Sequence, residues 1–248
     1  MGLIRLKNSR HLVSLSIHAL RVIGQAEDEI HPYESRKGFA PTMPADTSIS
    51  DHFLTAVRQR RSFYGISDEV VVPDERIEEI VKEAVRYTPS SFNSQSARIV
   101  LLLKREHKKF WDITTETLRA VVSDPEQFKS TQEKMNAFAA GYGTVLFFED
   151  MTVIEGLQQQ FAAYKENFPK WSAHSSGMHQ FVIWTALETE GYGASLQHYN
   201  PLIDEEVKRT WGLPDSWLLI AQMPFGKPIA QPGEKTFKPL EERIKIFK

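Results

Sequence analysis

Apolar residues recur at intervals of three and four along most of the chain, broken by short continuous apolar runs, and that alternation predicts a helix-rich mixed fold. From Asp51 to Arg61, Phe53, Leu54 and Val57 fall on one helical face, while Arg58, Arg60 and Arg61 gather at its end. Asp74 is placed to cap a second helix, in which Ile77, Ile80, Val81, Ala84 and Val85 keep the spacing until Pro89 stops it. Ala97 to Leu103 is a short apolar run between polar loops, the pattern of a buried strand. Helical spacing returns over Glu106 to Val122 and Pro125 to Ala140; Thr144 to Glu149 reads as a strand, and Met151 to Tyr164 as another helix. The longest core helix is predicted over His174 to Glu190, with Met178, Phe181, Val182, Thr185 and Ala186 on one face and Gly191 as terminator. Tyr192 to Leu196 reads as a strand, Asp204 to Trp211 as a short helix closed by Gly212 and Pro214, and Trp217 to Met223 as a hydrophobic strand. Arg243 to Ile246 alternates polar and apolar, which suits a late strand pairing with an exposed sheet edge, on this or another subunit. No internal repeat on the order of 20 to 50 residues is visible, so the fold class is α+β.

The amino-terminal region follows another rule. Residues 1–26 hold no Asp or Glu but carry Arg5, Lys7, Arg10 and Arg21 among Leu, Ile, Val and Ser. Such a stretch resembles a mitochondrial transit peptide, and equally an extra amphipathic helix on a dimer or a lipid surface. Gly2 does not signal N-myristoylation, because Leu6 stands where Ser or Thr is needed. Residues 27–49, with Glu27, Asp28 and Glu29 followed by Pro32, Gly38, Pro41 and Pro44, read as a linker, and the folded domain is expected over 50–248. Localisation is expected to be intracellular, mitochondrial if the leader reading holds and cytoplasmic otherwise.

Composition removes several classes. A formal net charge of -2 over 248 residues argues against a nucleic-acid binder that depends on a basic surface. Cysteine is absent, which excludes disulfides, thiolate nucleophiles and thiolate metal sites. No apolar run reaches the roughly 18 residues of a membrane-spanning helix.

Four segments carry candidate chemistry. Arg60-Arg61-Ser62 sets two fixed positive charges and a hydroxyl at a helix-to-loop junction, suited to holding a phosphate. Ser90, Ser91, Asn93 and Gln95 crowd hydroxyls and amides into a loop ahead of a strand; they match the edges of a heteroaromatic ring, or else cap a polar turn. Phe92 in their midst is unusual for a solvated turn. Gln197 and His198 follow the predicted strand near 192–196, and Lys227, in Gly226-Lys227-Pro228, offers a second phosphate cation. His174, His179 and His198 show no ligand spacing, which sets a metal aside. Gly141-Tyr142-Gly143 lacks the third glycine and the strand-then-helix order of a dinucleotide motif, and no G-x-S-x-G elbow occurs.

In this order, the segments resemble the FMN-dependent nitroreductase family over about residue 50 to the C-terminus. Pro89 to Gln95 with Ala97-Arg98, GYGTVLFFED at Gly141 to Asp150, Leu196 to Pro201, and FGKP at Phe225 to Pro228 resemble its fungal and bacterial subgroup linked to fatty-acid response. The resemblance implies a central, mostly antiparallel sheet flanked by helices, in an intertwined homodimer with FMN at the subunit interface. It places Arg60, Arg61, Ser62 and Lys227 of one subunit on the flavin's phosphate, ribityl chain and pyrimidine edge, Ser90, Ser91 and Asn93 on the same flavin from the other subunit, and Gln197 and His198 along the ring. Gln95 belongs to the same loop. Many members have a basic residue where this chain has Tyr64, a departure that leaves that contact open. The implied activity is NAD(P)H-dependent reduction of nitroaromatics or quinones by a ping-pong flavin cycle. The alternatives are a lipid-responsive flavin protein with little turnover and a scaffold without flavin.

Overall fold

The computed structural model describes residues 48–122 and 124–248; the leader and linker expectations, up to residue 47, lie outside the described residues. Ser48 opens helix α1 (Ile49–Gln59) with a reciprocal cap: its hydroxyl accepts from the Asp51 amide, and the Asp51 carboxylate accepts from the Ser48 amide. Then come β1 (Ile66–Ser67), α2 (Asp74–Tyr87), β2 (Ala97–Leu103), α3 (Arg105–Val121), α4 (Pro125–Ala139), β3 (Gly143–Asp150), α5 (Met151–Gln160), α6 (Phe168–Thr189), β4 (Gly193–Ala194), α7 (Asp204–Trp211) and β5 (Trp217–Pro228). The strands form one sheet in the order β1-β5-β3-β2, with β4 also on β5, and every ladder is antiparallel. The α+β expectation is met.

Both faces of the sheet are covered, and β3 shows how its sequence serves two cores. Val145 and Phe147 face a core built with Ile77, Ile80 and Ala84 of α2 and Ile183 and Leu187 of α6. Leu146 and Phe148 face the opposite core, with Phe110, Trp111 and Leu118 of α3, Phe128, Met135 and Phe138 of α4, and Val207 of α7. On β5, Leu219 joins the second core while Ala221, Met223 and Phe225 join the first. An even step should keep one face, and the switch is made by a bulge: Phe147 pairs with Ala221 but Phe148 with Leu219, leaving Ile220 as the extra residue.

Several details differ from the sequence pattern. Asp74 is not a cap; Pro73 precedes α2, and the Asp74 carboxylate instead accepts from Lys104 Nζ at 2.5 Å and from the Tyr142 hydroxyl. The helix read over Met151 to Tyr164 stops at Gln160, a 3-10 segment runs over Ala162–Asn167, and α6 starts at Phe168 rather than His174. Its buried stripe is Ser172, Ser175, His179, Ile183 and Leu187, whereas Met178 and Val182, expected in the core, are 38% and 39% exposed. The strand expected over Tyr192 to Leu196 shortens to Gly193–Ala194, and β5 extends five residues past Met223. Residues 243–246 form no strand in the protomer; a 3-10 turn at Leu240–Glu242 precedes an exposed end.

His107 of α3 is 1% exposed, its Nδ1 2.7 Å from Thr144 Oγ1, which also accepts from Trp111 Nε1 at 2.9 Å. Burial pushes its imidazole down to about 4. Between about 6.5 and 4 the unfolded chain binds a proton at this site and the folded chain does not, so His107's contribution is complete above pH 6.5 and is lost as pH falls toward 4. Urea unfolding at pH 7 and pH 5 is expected to show about 1–2 kcal/mol less stability at pH 5 from this group, a difference that His107→Gln removes. An unchanged pH slope in the variant would show that His107 is not its source.

Candidate functional site

At Arg60 the backbone leaves helical geometry (ψ 119°), and the chain runs beside β4: Ser62 bridges Ala194, and the Phe63 amide donates to the Ala194 carbonyl at 2.9 Å. β4 in turn pairs Gly193 with Gly226 and Ala194 with Phe225, while the next residue of β5, Lys227, pairs with Ser67 of β1. Arg60, Arg61, Ser62 and Lys227 thus meet at one corner of the sheet, although 165 residues separate Ser62 from Lys227 in sequence. The corner needs glycine. A Cβ on Gly226 would lie 2.3 Å from the Ser67 carbonyl oxygen, and one on Gly193 2.7 Å from Phe63 Cβ.

The charges at this corner are organised by α6. The Arg60 guanidinium lies 4.4 Å over the Trp184 ring. Trp184 Nε1 donates to Glu188 Oε1 at 2.6 Å, and the Arg61 amide donates to Glu188 Oε2 at 2.8 Å. Burial pushes the Glu188 carboxyl up to about 7, against those two donors and the charges of Arg60 and Arg61, all of which favour ionisation. The Arg60 guanidinium and the Ser62 hydroxyl make no hydrogen bond among the described residues. Arg61 is directed elsewhere, its guanidinium donating to the Gly233 carbonyl, and Lys227 Nζ pairs with the Glu69 carboxylate. A cleft of about 210 Å³ lies alongside, lined by residues that include Arg60, Phe63, Glu188 and Tyr192.

Gln197 lies midway along β5, bridging Gln222 by paired backbone hydrogen bonds of 2.7 and 2.9 Å, with its side chain donating to Ser195 Oγ at 3.1 Å. His198 is exposed. The residue that holds this stretch is Gln222, which is fully buried: its Oε1 accepts from the Tyr199 amide at 2.7 Å and its Nε2 donates to Asn200 Oδ1 at 3.3 Å. Sequence reading overlooked it; the signal was an amide inside the apolar run LLIAQMPF.

The Ser90 to Gln95 loop sits at the far end of the sheet. It feeds β2 at Ala97, which pairs with Glu149, which pairs with Leu218. From Leu218 to Lys227 β5 covers roughly 25–30 Å, so one protomer does not join this loop to the corner. Phe92, Asn93 and Gln95 all have positive φ (58°, 51° and 48°), strain that surrounding structure must hold. Phe92 supplies the anchor, with ring centroids 5.1 Å from Phe161, 5.5 Å from Phe168 and 5.9 Å from Trp171. That cluster explains the 3-10 break between α5 and α6. The Ser90 hydroxyl accepts from the Gln95 amide at 3.0 Å and serves the turn itself, while Asn93 and Gln95 are exposed. Beneath the loop, buried Glu149 accepts from Ser96 Oγ at 2.6 Å and Ser172 Oγ at 2.7 Å.

Among the described residues no group of three His, Asp or Glu is arranged to hold a metal ion, and no helix is long and apolar enough to cross a membrane. Residues 57–227 match the model of the nitroreductase family. The chain is 37% identical over 199 residues to the putative nitroreductase HBN1 of Saccharomyces cerevisiae, covering 79% of this chain and 96% of the yeast protein. It is 34% identical over 192 residues to the nitroreductase FRM2 of the same yeast, covering 77% and 95%. The nitroreductase CinD from Lactococcus lactis, solved with nicotinic acid, superposes with a TM-score of 0.74 at 43% identity, covering 79% of this chain and all of that one. CinD has also been solved with chloramphenicol and with 4-nitrophenol. With its sheet, corner and loop in this arrangement and a match over 57–227, the chain belongs to the nitroreductase family.

Proposed function

We propose that the protein is an FMN-dependent oxidoreductase that takes reducing equivalents from NADH or NADPH and passes them to small nitroaromatics or quinones. The observation that carries the proposal is the corner itself: a guanidinium held on an indole face and a hydroxyl, both without hydrogen-bond partners among the described residues, beside a lysine. That donor set fits a phosphate monoester. Arg60 and Ser62 bind its oxygens, and Lys227, freed from the exposed Glu69, adds a cation toward the rest of the cofactor. FMN held there would supply the redox chemistry, hydride acceptance from a nicotinamide and electron delivery to an acceptor. The chain needs no nucleophile or metal of its own. Its residues hold the flavin, favour negative charge near Lys227, and exclude water. The ligands of CinD, two of which carry a nitrophenyl group, support small nitroaromatic acceptors.

The separation of corner and loop supports a homodimer: with about 25–30 Å of strand between them, Ser91 and Asn93, as contacts to a flavin at the corner, would come from a second copy. Exposed apolar surface supports it. Helix α1 has no buried residue and shows Phe53 at 59%, while the end of the chain shows Phe237 at 75% and Phe247 at 94%. Initial rates with NADPH and a nitroaromatic varied together are expected to give parallel double-reciprocal lines, since donor and acceptor use the same face in turn. Intersecting lines would contradict the shared site.

A further inference from the structure

We infer that Glu188 is the positioning residue of the phosphate corner, fixing through its two carboxylate oxygens both the platform under Arg60 and the backbone turn that presents Ser62. The inference rests on reading the corner as a phosphate site and adds how that site is held. Glu188 does not pair with either arginine side chain. Its Oε1 takes the Trp184 indole N–H at 2.6 Å, locking the ring on which the Arg60 guanidinium lies, and its Oε2 takes the Arg61 amide at 2.8 Å, where α1 turns toward β4. A carboxylate paired directly with Arg60 would use up the donors that a phosphate needs. Accepting from neutral donors on either side of the arginine leaves those donors free and restricts where they point. Glu188 acts here across 127 residues of sequence, from the last turn of α6 to the exit of α1. Its position explains why a half-buried carboxylate with no salt bridge among the described residues sits beside two arginines.

Glutamine cannot replace it. One of its two head atoms is an NH2 group, which would face either the indole N–H or the Arg61 N–H, donor against donor. Trp184→Phe keeps an aromatic face near Arg60 but removes the N–H together with the five-membered ring, a second route to the loss of the Glu188 contact. The test uses full-length apo-protein and two probes that differ only in the phosphate, FMN and riboflavin, with Kd measured by flavin fluorescence quenching at pH 7.5 and circular dichroism as the folding control. Wild type is expected to bind FMN far more tightly than riboflavin. In Glu188→Gln the FMN Kd is expected to rise about tenfold while riboflavin changes less than about twofold, so the preference narrows; Trp184→Phe narrows it in the same sense and decides the matter if Glu188→Gln does not fold. A preference unchanged in both variants would overturn the inference. So would parallel loss of both ligands, the mark of general structural damage. A wild-type protein that binds the two flavins equally would remove the phosphate reading beneath it, and would do so before any variant is measured.

Discussion

Arg60→Ala is expected to raise the Kd for FMN by roughly 30- to 150-fold, the loss of charge-assisted hydrogen bonds to one phosphate. The side chain makes no hydrogen bond among the described residues and rests on Trp184, so its removal costs the fold little, and the unfolding midpoint of the apo-protein is expected to move by only about 2 °C. Lys227→Ala is expected to be milder, about five- to tenfold, because that ammonium must first leave Glu69 and both partners are exposed. The order of the two effects is the informative part. Flavin titration of the two apo-variants reads it directly, and a larger loss at Lys227 than at Arg60 would move the phosphate away from the α1 exit.

The second large effect concerns activity in mixed dimers. Arg60→Ala damages the corner, and Ser91→Ala with Asn93→Ala damages the loop; each homodimer is expected to lose most of its activity. If every flavin takes its corner from one subunit and its loop from the other, a mixed dimer holds one site with both lesions and one with neither. Co-expression with two different tags and tandem purification is therefore expected to restore about half of the wild-type activity per dimer, consistent with closed two-fold assembly. A mixed dimer as inactive as its parents would place corner and loop in the same subunit's site, against the separation of Lys227 and the loop along β5.

How far these features were legible in the sequence depended on whether the cause was local. Gly191 was read as the end of a helix and has φ +99°, a backbone state that glycine adopts freely. β2 and β3 were legible because continuous apolar runs report burial on both faces. The start of α6 was not, because Phe168 and Trp171 are committed to Phe92, a contact about 75 residues back that no periodicity encodes. Met178 and Val182 fitted an apolar stripe, yet the sheet takes the face carrying Ser172, Ser175 and His179. The end of β5 was hidden by Pro224, Gly226 and Pro228, which locally signal a turn; they are tolerated where the strand exchanges β3 for the two-residue strands β4 and β1.

The candidate site divides in the same way. Arg60, Ser62 and Lys227 could be chosen by residue type, and the fold gathers them at one corner. Trp184, Glu188 and Gln222 could not, because their importance lies in what they touch across the fold. Arg61 was selected with its neighbour, but its guanidinium turns to the Gly233 carbonyl, and its backbone N–H is the part that serves the corner.

The central claim is best tested by the absorption spectrum of the purified protein, followed by anaerobic titration with NADPH and then addition of 4-nitrophenol or a quinone. A flavin spectrum that bleaches with NADPH and returns with the acceptor is the result the account predicts. A colourless protein that takes up no added FMN would contradict it and leave a nitroreductase fold without its cofactor.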